Sequence, residues 1–317
     1  MGITGLNMFL KTHIPEILNK KDLSLFKHKR VGIDTSIYLY KFKYNKRNFI
    51  ESFVKQIYRL KLNNITPIYI FDGKPPVEKQ KVIHLRKKKK ETYLISIKEL
   101  EQKKKKCKNL FEIMVINTKI EHIKRNLVKI TQEDIDTLKQ LLKRCGVTFI
   151  QSETESDILF GTLFKSNYID LVLSEDNDIL VHGCPNLLKN FNIYSNQIIL
   201  YDKTYIITKL GLTNTQWVHF CILMGCDYFK KIPYPSKRIY KLIQTYTIND
   251  LIYKINLDKQ NRTDFINAKH IFDSYPILKN SSILETTIDL VNLKTFLQTH
   301  TRLYERTINK IIEIIHK

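Results

Sequence analysis

"LVLSEDNDILVHG", residues 171 to 183, decides how the rest of the chain is read. Leu171, Val172 and Leu173 form an apolar run of strand length, and Glu175, Asp176 and Asp178 follow it within a few positions. Acids crowded where a strand ends need a reason in a chain with 53 Lys and Arg against 31 Asp and Glu. The signature recurs. "KRVGIDTSIYLYKF" and "ITPIYIFDGKPP" carry short β-branched runs that end in acid at Asp34 and Asp72, and "GVTFIQSETESD" ends in Glu153 and Glu155. Helix-period stretches lie between them, with Phe49, Phe53, Ile57 and Leu60 in 49–62 and Ile135, Leu138, Leu141 and Leu142 in 133–145. Strands alternating with helices predict an α/β fold, a twisted and mainly parallel sheet with helices on both faces. Ligands bind such sheets at the carboxyl ends of the strands, so the acids are expected to gather at one edge.

The totals set the limits. A chain of 317 residues with 43% hydrophobic content can bury a core as one large domain or two small ones. A formal charge of +22 and a pI near 9.6 point to a polyanionic partner, nucleic acid first and an anionic membrane surface second. No stretch has the eighteen or so apolar residues needed to cross a bilayer. The start "MGITGLNMFLKTHIP" lacks a secretion signal, and Leu6 stands where N-myristoylation wants Ser or Thr. A soluble intracellular protein without a membrane partner is expected. Cys107, Cys145, Cys184, Cys221 and Cys226 show no C-x-x-C spacing, so they read as reduced thiols rather than a zinc site or disulfides.

Each acid alone has an ordinary explanation. Asp34 before Thr35 could cap a helix, Ser152 with Glu155 fits a capping box, and "FDGKPP" could be a turn. Capping does not explain acids paired at i and i+2 twice over, at 153/155 and 176/178. Converging carboxylates repel, and a divalent cation resolves the conflict. Mg²⁺ suits an all-oxygen set without His or Cys better than zinc does. Two such ions about 4 Å apart would activate a water and stabilise the leaving oxygen of a phosphodiester. From Glu78 to Asn109 there are 13 Lys or Arg against 4 Glu, including "RKKKK" and "KKKK". Such a run is ordinarily a solvated helical face or an import signal, but this one is tethered six residues after Asp72.

With these residues in place the chain resembles a family. "MGITGL", "GIDTSIYLY", "YIFDGKPP", "SETESD", "LVLSEDNDIL" and "CILMGCDY" stand in the order and approximate spacing of the flap endonucleases, within the XPG superfamily of structure-specific 5′ nucleases. The likeness runs from residue 1 to about 250. It implies a PIN-like 5′ nuclease fold with a nuclease domain over 1–255, a helical arch near 77–132, and a helix-hairpin-helix-like region near 227–245. Residues 256–317 are then a helical extension packed on the same domain. Asp34, Asp72, Glu153, Glu155, Asp176, Asp178 and Asp227 match the family's metal-site acids, with Asp227 ending the helix read from "TNTQWVHFCILMGCDY"; Glu175 matches a position outside that set. Two Mg²⁺ ions are implied, with Mn²⁺ able to substitute. Lys79 and Arg86 match the arch residues that contact the scissile phosphate, and Tyr40 an aromatic that stacks on a base near the cut. After loss of Met1, the Gly2 amine would lie near the substrate. Lys87, Lys88, Lys89 and Lys90 would guide a single-stranded 5′ end through the arch.

The implied activity is Mg²⁺-dependent hydrolysis of DNA at 5′ flaps or related branches, in replication, recombination or repair. The alternatives are a branched-DNA-binding protein that does not cut and an RNA-cleaving metal nuclease. Departures from the family's pattern matter too. Its "GIGPKRA" hairpin is "PYPSKRI" here, keeping Lys237 and Arg238 but not the glycines that help bind K⁺. The chain stops at Lys317 without the family's sliding-clamp motif, so clamp recruitment by that route is not expected, and a monomer is. Low glycine with abundant Lys, Ile and Asn fits a member from a large DNA virus. Its place of work would be the nucleus or a viral replication site in the cytoplasm.

Overall fold

Leu171, Val172 and Leu173 do form a strand, with all three side chains buried. The computed structural model describes residues 2–44, 48–277 and 283–316; Met1 and Lys317 lie outside them. In chain order the strands are β1 Lys20–Asp22, β2 Arg30–Asp34, β3 Thr66–Phe71, β4 Phe149–Gln151, β5 Leu171–Leu173, β6 Asn186–Lys189, β7 Gln197–Asp202 and β8 Ile283–Leu284. They form one sheet in the order β1-β7-β6-β5-β2-β3-β4-β8. The five central strands run parallel, and β1, β7 and β8 join the edges antiparallel.

A parallel strand in mid-sheet is covered on both faces, which is why these segments read as continuous apolar runs. Alternation divides their side chains between two layers. Ile68, Ile70, Ile150 and Val172 meet the helices Leu6–His13, Ser156–Lys165, Asn214–Met224 and Lys259–Phe272. Val31, Ile33, Tyr69, Phe71, Leu171 and Leu173 meet Thr35–Tyr44, Phe49–Leu62, Gln132–Arg144, Leu290–His300 and Glu305–His316. Gly32 sits in the middle of β2, where a Cβ would lie 3.0 Å from both Phe160 and Ile169, so its lack of a side chain lets that first layer close on the strand.

The topology creates the site. From β2 the chain adds β3 and β4 on one side, then crosses to place β5 on the other side of β2. The carboxyl ends of β2 and β5 therefore flank a switch-point crevice, where doubly wound sheets bind ligands. Asp34 is the last residue of β2, and the acidic turn of the quoted stretch follows β5.

Between β3 and β4 the chain leaves the sheet. Helix Gln80–Lys106 carries the lysine runs, and helix Leu110–Arg125 folds back on it around Ile97, Ile116 and Ile120. After residue 255 the chain is not purely helical. β8 pairs with β4, and the last helix seats Ile308, Ile311 and Ile315 at helical spacing on the second layer.

Two boundaries differ from the sequence reading. The helix entering "CILMGCDY" stops at Met224, because Gly225 turns the chain at φ 94 and a Cβ there would come within 2.7 Å of Lys231. Asp227 therefore lies in a turn closed by the Cys226–Phe229 pairing, not on the helix. "PYPSKRI" is only half connector: helix Ser236–Thr245 begins inside it, capped by Pro235, so Lys237 and Arg238 occupy the first helical turn.

Candidate metal centre and nucleic-acid interface

A cavity of about 280 Å³ opens at the carboxyl ends of β2, β3, β4 and β5. Asp34, Asp72, Glu155, Asp157, Asp176 and Asp227 line it, together with Lys79, Arg86 and Tyr40. The backbone aims each acid. Asp34 accepts a hydrogen bond from Ile37 N at 3.1 Å, so the expected helix cap is real, and another from Ser174 Oγ at 2.7 Å. Ser174 Oγ in turn accepts from Asp176 N at 3.0 Å, which couples the ends of β2 and β5. Asp72 Oδ1 accepts from both N and Oγ of Ser156, at 2.8 and 2.6 Å, and so caps the helix that starts beside Glu155. The expected box of Ser152 with Glu155 does not form: Glu155 is the N-cap, without a side-chain cap bond. Its carboxylate accepts instead from the Tyr228 hydroxyl at 3.0 Å.

Not every acid named from the sequence reaches the cavity. Asp178 is buried just behind it, its N–H donating to Asp176 Oδ1 at 3.0 Å. Glu153 is exposed and outside the lining. Glu175 is paired with Lys41 at 2.7 Å and accepts from Asn190 N, so it stabilises the turn from outside. The sequence reading missed Asp157, which stands in the quoted "SETESD" two residues beyond Glu155. It also missed Lys189, a buried lysine whose Nζ donates to Asn177 Oδ1 at 2.6 Å and so holds the acidic turn from beneath.

Electrostatics in the cavity follow from burial first and crowding second. Burial, with Asp72 as the next cause, pushes the Asp34 carboxyl up to about 7. Burial and Asp176 likewise hold Asp157 and Asp178 well above the usual carboxylate range. Burial alone would lower the Lys79 ammonium, but Glu155 at 2.7 Å and Asp227 at 3.0 Å overcome it and raise it. Arg86 Nη2 donates to both Asp227 oxygens, at 3.0 and 2.9 Å.

The donor set fits a hard divalent cation. All the converging ligands are carboxylate oxygens, and the buried Asp178 Oδ1 has no hydrogen-bond donor. Among the described residues no three carboxylates lie close enough to share one ion directly. Mg²⁺ keeps several of its waters and takes few direct protein ligands, so it does not require three carboxylates on one ion. Lys79 pairs with Glu155 and Asp227, and Arg86 with Asp227.

The remaining residues surround this centre. Gly2, at φ 92, packs so tightly that a Cβ would lie 2.2 Å from Asp176 Oδ1. Tyr40 is 43% exposed at the rim. Lys87, Lys88, Lys89 and Lys90 are exposed on helix Gln80–Lys106, and Lys89 and Lys90 line a second cavity beside the first. Lys237 and Arg238 are exposed and line neither.

Residues 1–93 match the XPG N-terminal domain and residues 146–227 the XPG I-region. The first interval holds Asp34, Asp72, Lys79 and Arg86, and the second holds Glu153 through Asp227. The chain is 29% identical over 333 aligned residues to a probable RAD2-like endonuclease of Invertebrate iridescent virus 6, covering 87% of this chain and 80% of that protein. It is 29% identical over 285 residues to flap endonuclease 1 of Saccharomyces cerevisiae, covering 83% and 70%. Its fold is similar to the catalytic core of Rad2 in complex with DNA substrate, with a TM-score of 0.70 at 20% identity over 100% of both chains. Flap endonuclease-1 from Methanococcus jannaschii aligns with a TM-score of 0.67 at 21% identity, covering 94% and 95%.

Proposed function

The chain belongs to the XPG nuclease family, and on that premise we propose that it is a structure-specific 5′ nuclease hydrolysing DNA phosphodiesters at 5′ flaps. One observation carries the reading: six carboxylates and two arch cations share a single cavity at the switch point of the sheet. Asp34, Asp72, Glu155, Asp176, Asp178 and Asp227 would hold two Mg²⁺ or Mn²⁺ ions, with Asp157 beside them and Glu153 in the exposed turn before Glu155. Bound there, the ions supply an activated water and charge stabilisation at the leaving oxygen.

The protein's own part is to bring a polyanion to an acidic cavity. The exposed lysines of helix Gln80–Lys106 would gather the single strand, and the exposed Lys237 and Arg238 would meet duplex phosphate. Lys79 stays protonated beside Glu155 and Asp227, so it serves as a fixed positive charge and not as a base. A scissile phosphate takes over Lys79 and Arg86 from their carboxylates, replacing one anionic partner by another. The Arg86 fork can bond two phosphate oxygens at once. Tyr40, at the rim, offers its ring to the adjoining base.

A labelled 5′-flap DNA, the same flap in RNA and a plain duplex, each with Mg²⁺ and with EDTA, test this. Mg²⁺-dependent cutting of the DNA flap near its junction is expected. Binding of the flap without cutting would leave a non-catalytic branch-binding protein, and preferential cutting of the RNA flap would change the substrate class.

A further inference from the structure

Beside the acid cavity lies a second one, of about 410 Å³, between helix Thr35–Tyr44, the first half of helix Gln80–Lys106 and the segment just after Arg125. Tyr40 and Arg86 line both cavities, so the two are contiguous. Three phenol rings, Tyr40, Tyr44 and Tyr93, and four cations face the second cavity, and no carboxylate lines it. The rings already sit against cations, with Lys89 Nζ 5.8 Å from the Tyr93 centroid and the Arg125 guanidinium carbon 6.0 Å from that of Tyr44. In a basic arch the charge needs no explanation; the aromatic rings do. Flat apolar faces within a ring of cations suit a ligand that is itself a flat π-system bearing phosphate, and the volume falls in the range of small-ligand sites, about 300–1,000 Å³. The family resemblance gives stacking to Tyr40 alone, whereas Tyr44, Tyr93 and Arg125 lie outside every motif that carries it.

We propose that this cavity holds one unpaired nucleotide of the 5′ strand, its base against Tyr44 and Tyr93 and its phosphate among Lys89, Lys90 and Arg125. The proposal rests on the nuclease reading above and deepens it. Shared lining by Arg86 sets the nucleotide next to the one being cut. A branch with an unpaired 5′ nucleotide is then preferred to a nick through the base it offers, not through charge alone.

The test places 2-aminopurine, in turn, at each of the first three unpaired flap nucleotides and measures its emission on binding in EDTA. Stacking should quench one position. Tyr93→Ala should abolish that quenching and Tyr93→Phe retain it; Tyr93 is chosen because it stands on helix Gln80–Lys106, whereas Tyr44 ends a helix packed against the sheet. With Mg²⁺, an abasic site at the quenched position should raise KM about tenfold in the wild type and add little in Tyr93→Ala, since base and ring form one contact. Emission unchanged at all three positions overturns the pocket, as does an abasic penalty of equal size in wild type and Tyr93→Ala. Failure of the nuclease reading is separate, because it appears as no cleavage in Mg²⁺ whatever the emission does.

Discussion

At the scale of single residues the site was largely written in the sequence, because strand ends that carry acids are visible without a structure. Asp34, Asp72, Glu155, Asp176 and Asp227 do share one cavity, and Asp178 lies behind it. Asp157 escaped notice because an acid in the first turn of a helix is ordinary, and nothing local says that this one faces other acids. Lys189 escaped because burial of a lysine depends on strands far away in the chain. Replacing Asp178 by Ala should lower the cleavage rate by at least about a thousandfold, roughly 4 kcal/mol of transition-state stabilisation, with flap affinity little changed. Single-turnover rates and binding isotherms on the same flap would decide it. Asp34 makes a second prediction. Its folded-state pKa, about 7, stands above the ordinary 3.8, so between these values the native state binds more protons than the unfolded chain. Its contribution is therefore present at low pH and lost as pH rises towards 7. His182 and His219, driven down by burial to about 3 and about 4, act in the opposite direction below the ordinary histidine range. The difference between wild type and Asp34→Asn isolates the carboxyl. In chelator the variant should gain on the order of 5 °C in Tm over wild type on going from pH 5 to pH 8. Excess Mg²⁺ should shrink that gain. A constant difference across the range would show that Asp34 is not held protonated by its neighbours.

Elements were legible where periodicity is strong. Helix Phe49–Leu62 has the bounds its apolar spacing predicts, and Gln132–Arg144 lies within one residue of expectation. Legibility failed at ends. A capping box expected at Ser152 and Glu155 is absent, while Thr131 with Asp134 and Thr213 with Gln216 do form one. The helix there begins only at Ser156, past the Glu155 that such a box would hold at its third position, and Asp72 accepts from the Ser156 N–H. The lysine-rich segment between β3 and β4 is the element whose charges must be separated by function. Lys79 and Arg86 touch the cavity acids, whereas Lys87 and Lys88 are exposed outside both cavities. Lys79→Ala and Arg86→Ala should therefore reduce kcat more than affinity, by about 10²-fold or more each. Neutralising Lys87, Lys88, Lys89 and Lys90 together should weaken binding and flatten its dependence on salt, by up to about 3 in the slope of log K against log salt. Equal effects of both sets on affinity alone would reduce the arch to a generic basic patch.

At the scale of the whole molecule the sequence was least informative, because the pairing of β8 with β4 joins residues more than 130 positions apart and leaves no local trace. The segment after residue 255 read as a helical extension packed on the same domain; besides helices of the second layer it supplies an edge strand of the sheet. Leu293, Phe296, Leu297, Ile308, Ile311 and Ile315 are buried against helices Phe49–Leu62 and Gln132–Arg144 within one core cluster. Burial of each such side chain stabilises by about 1.5–3 kcal/mol, so the six together contribute roughly 9–18 kcal/mol before the entropy of ordering the segment is subtracted. That is comparable with the whole stability of a typical domain, about 5–15 kcal/mol. Truncation after Ile255 should therefore remove more than a tail. It uncovers Phe53, Ile57 and Leu138, which are fully buried in the intact chain, and leaves β4 as an exposed sheet edge open to aggregation. The expected outcome is a fragment without a cooperative thermal transition and without flap cleavage, although every acid of the cavity is still present. The milder variant Ile311→Asp should keep the fold but lower Tm by several degrees, with cleavage below the transition close to wild type. A truncated chain that unfolds cooperatively near the wild-type Tm would show that residues 256–317 form an appendage, and that the sheet closes on its own.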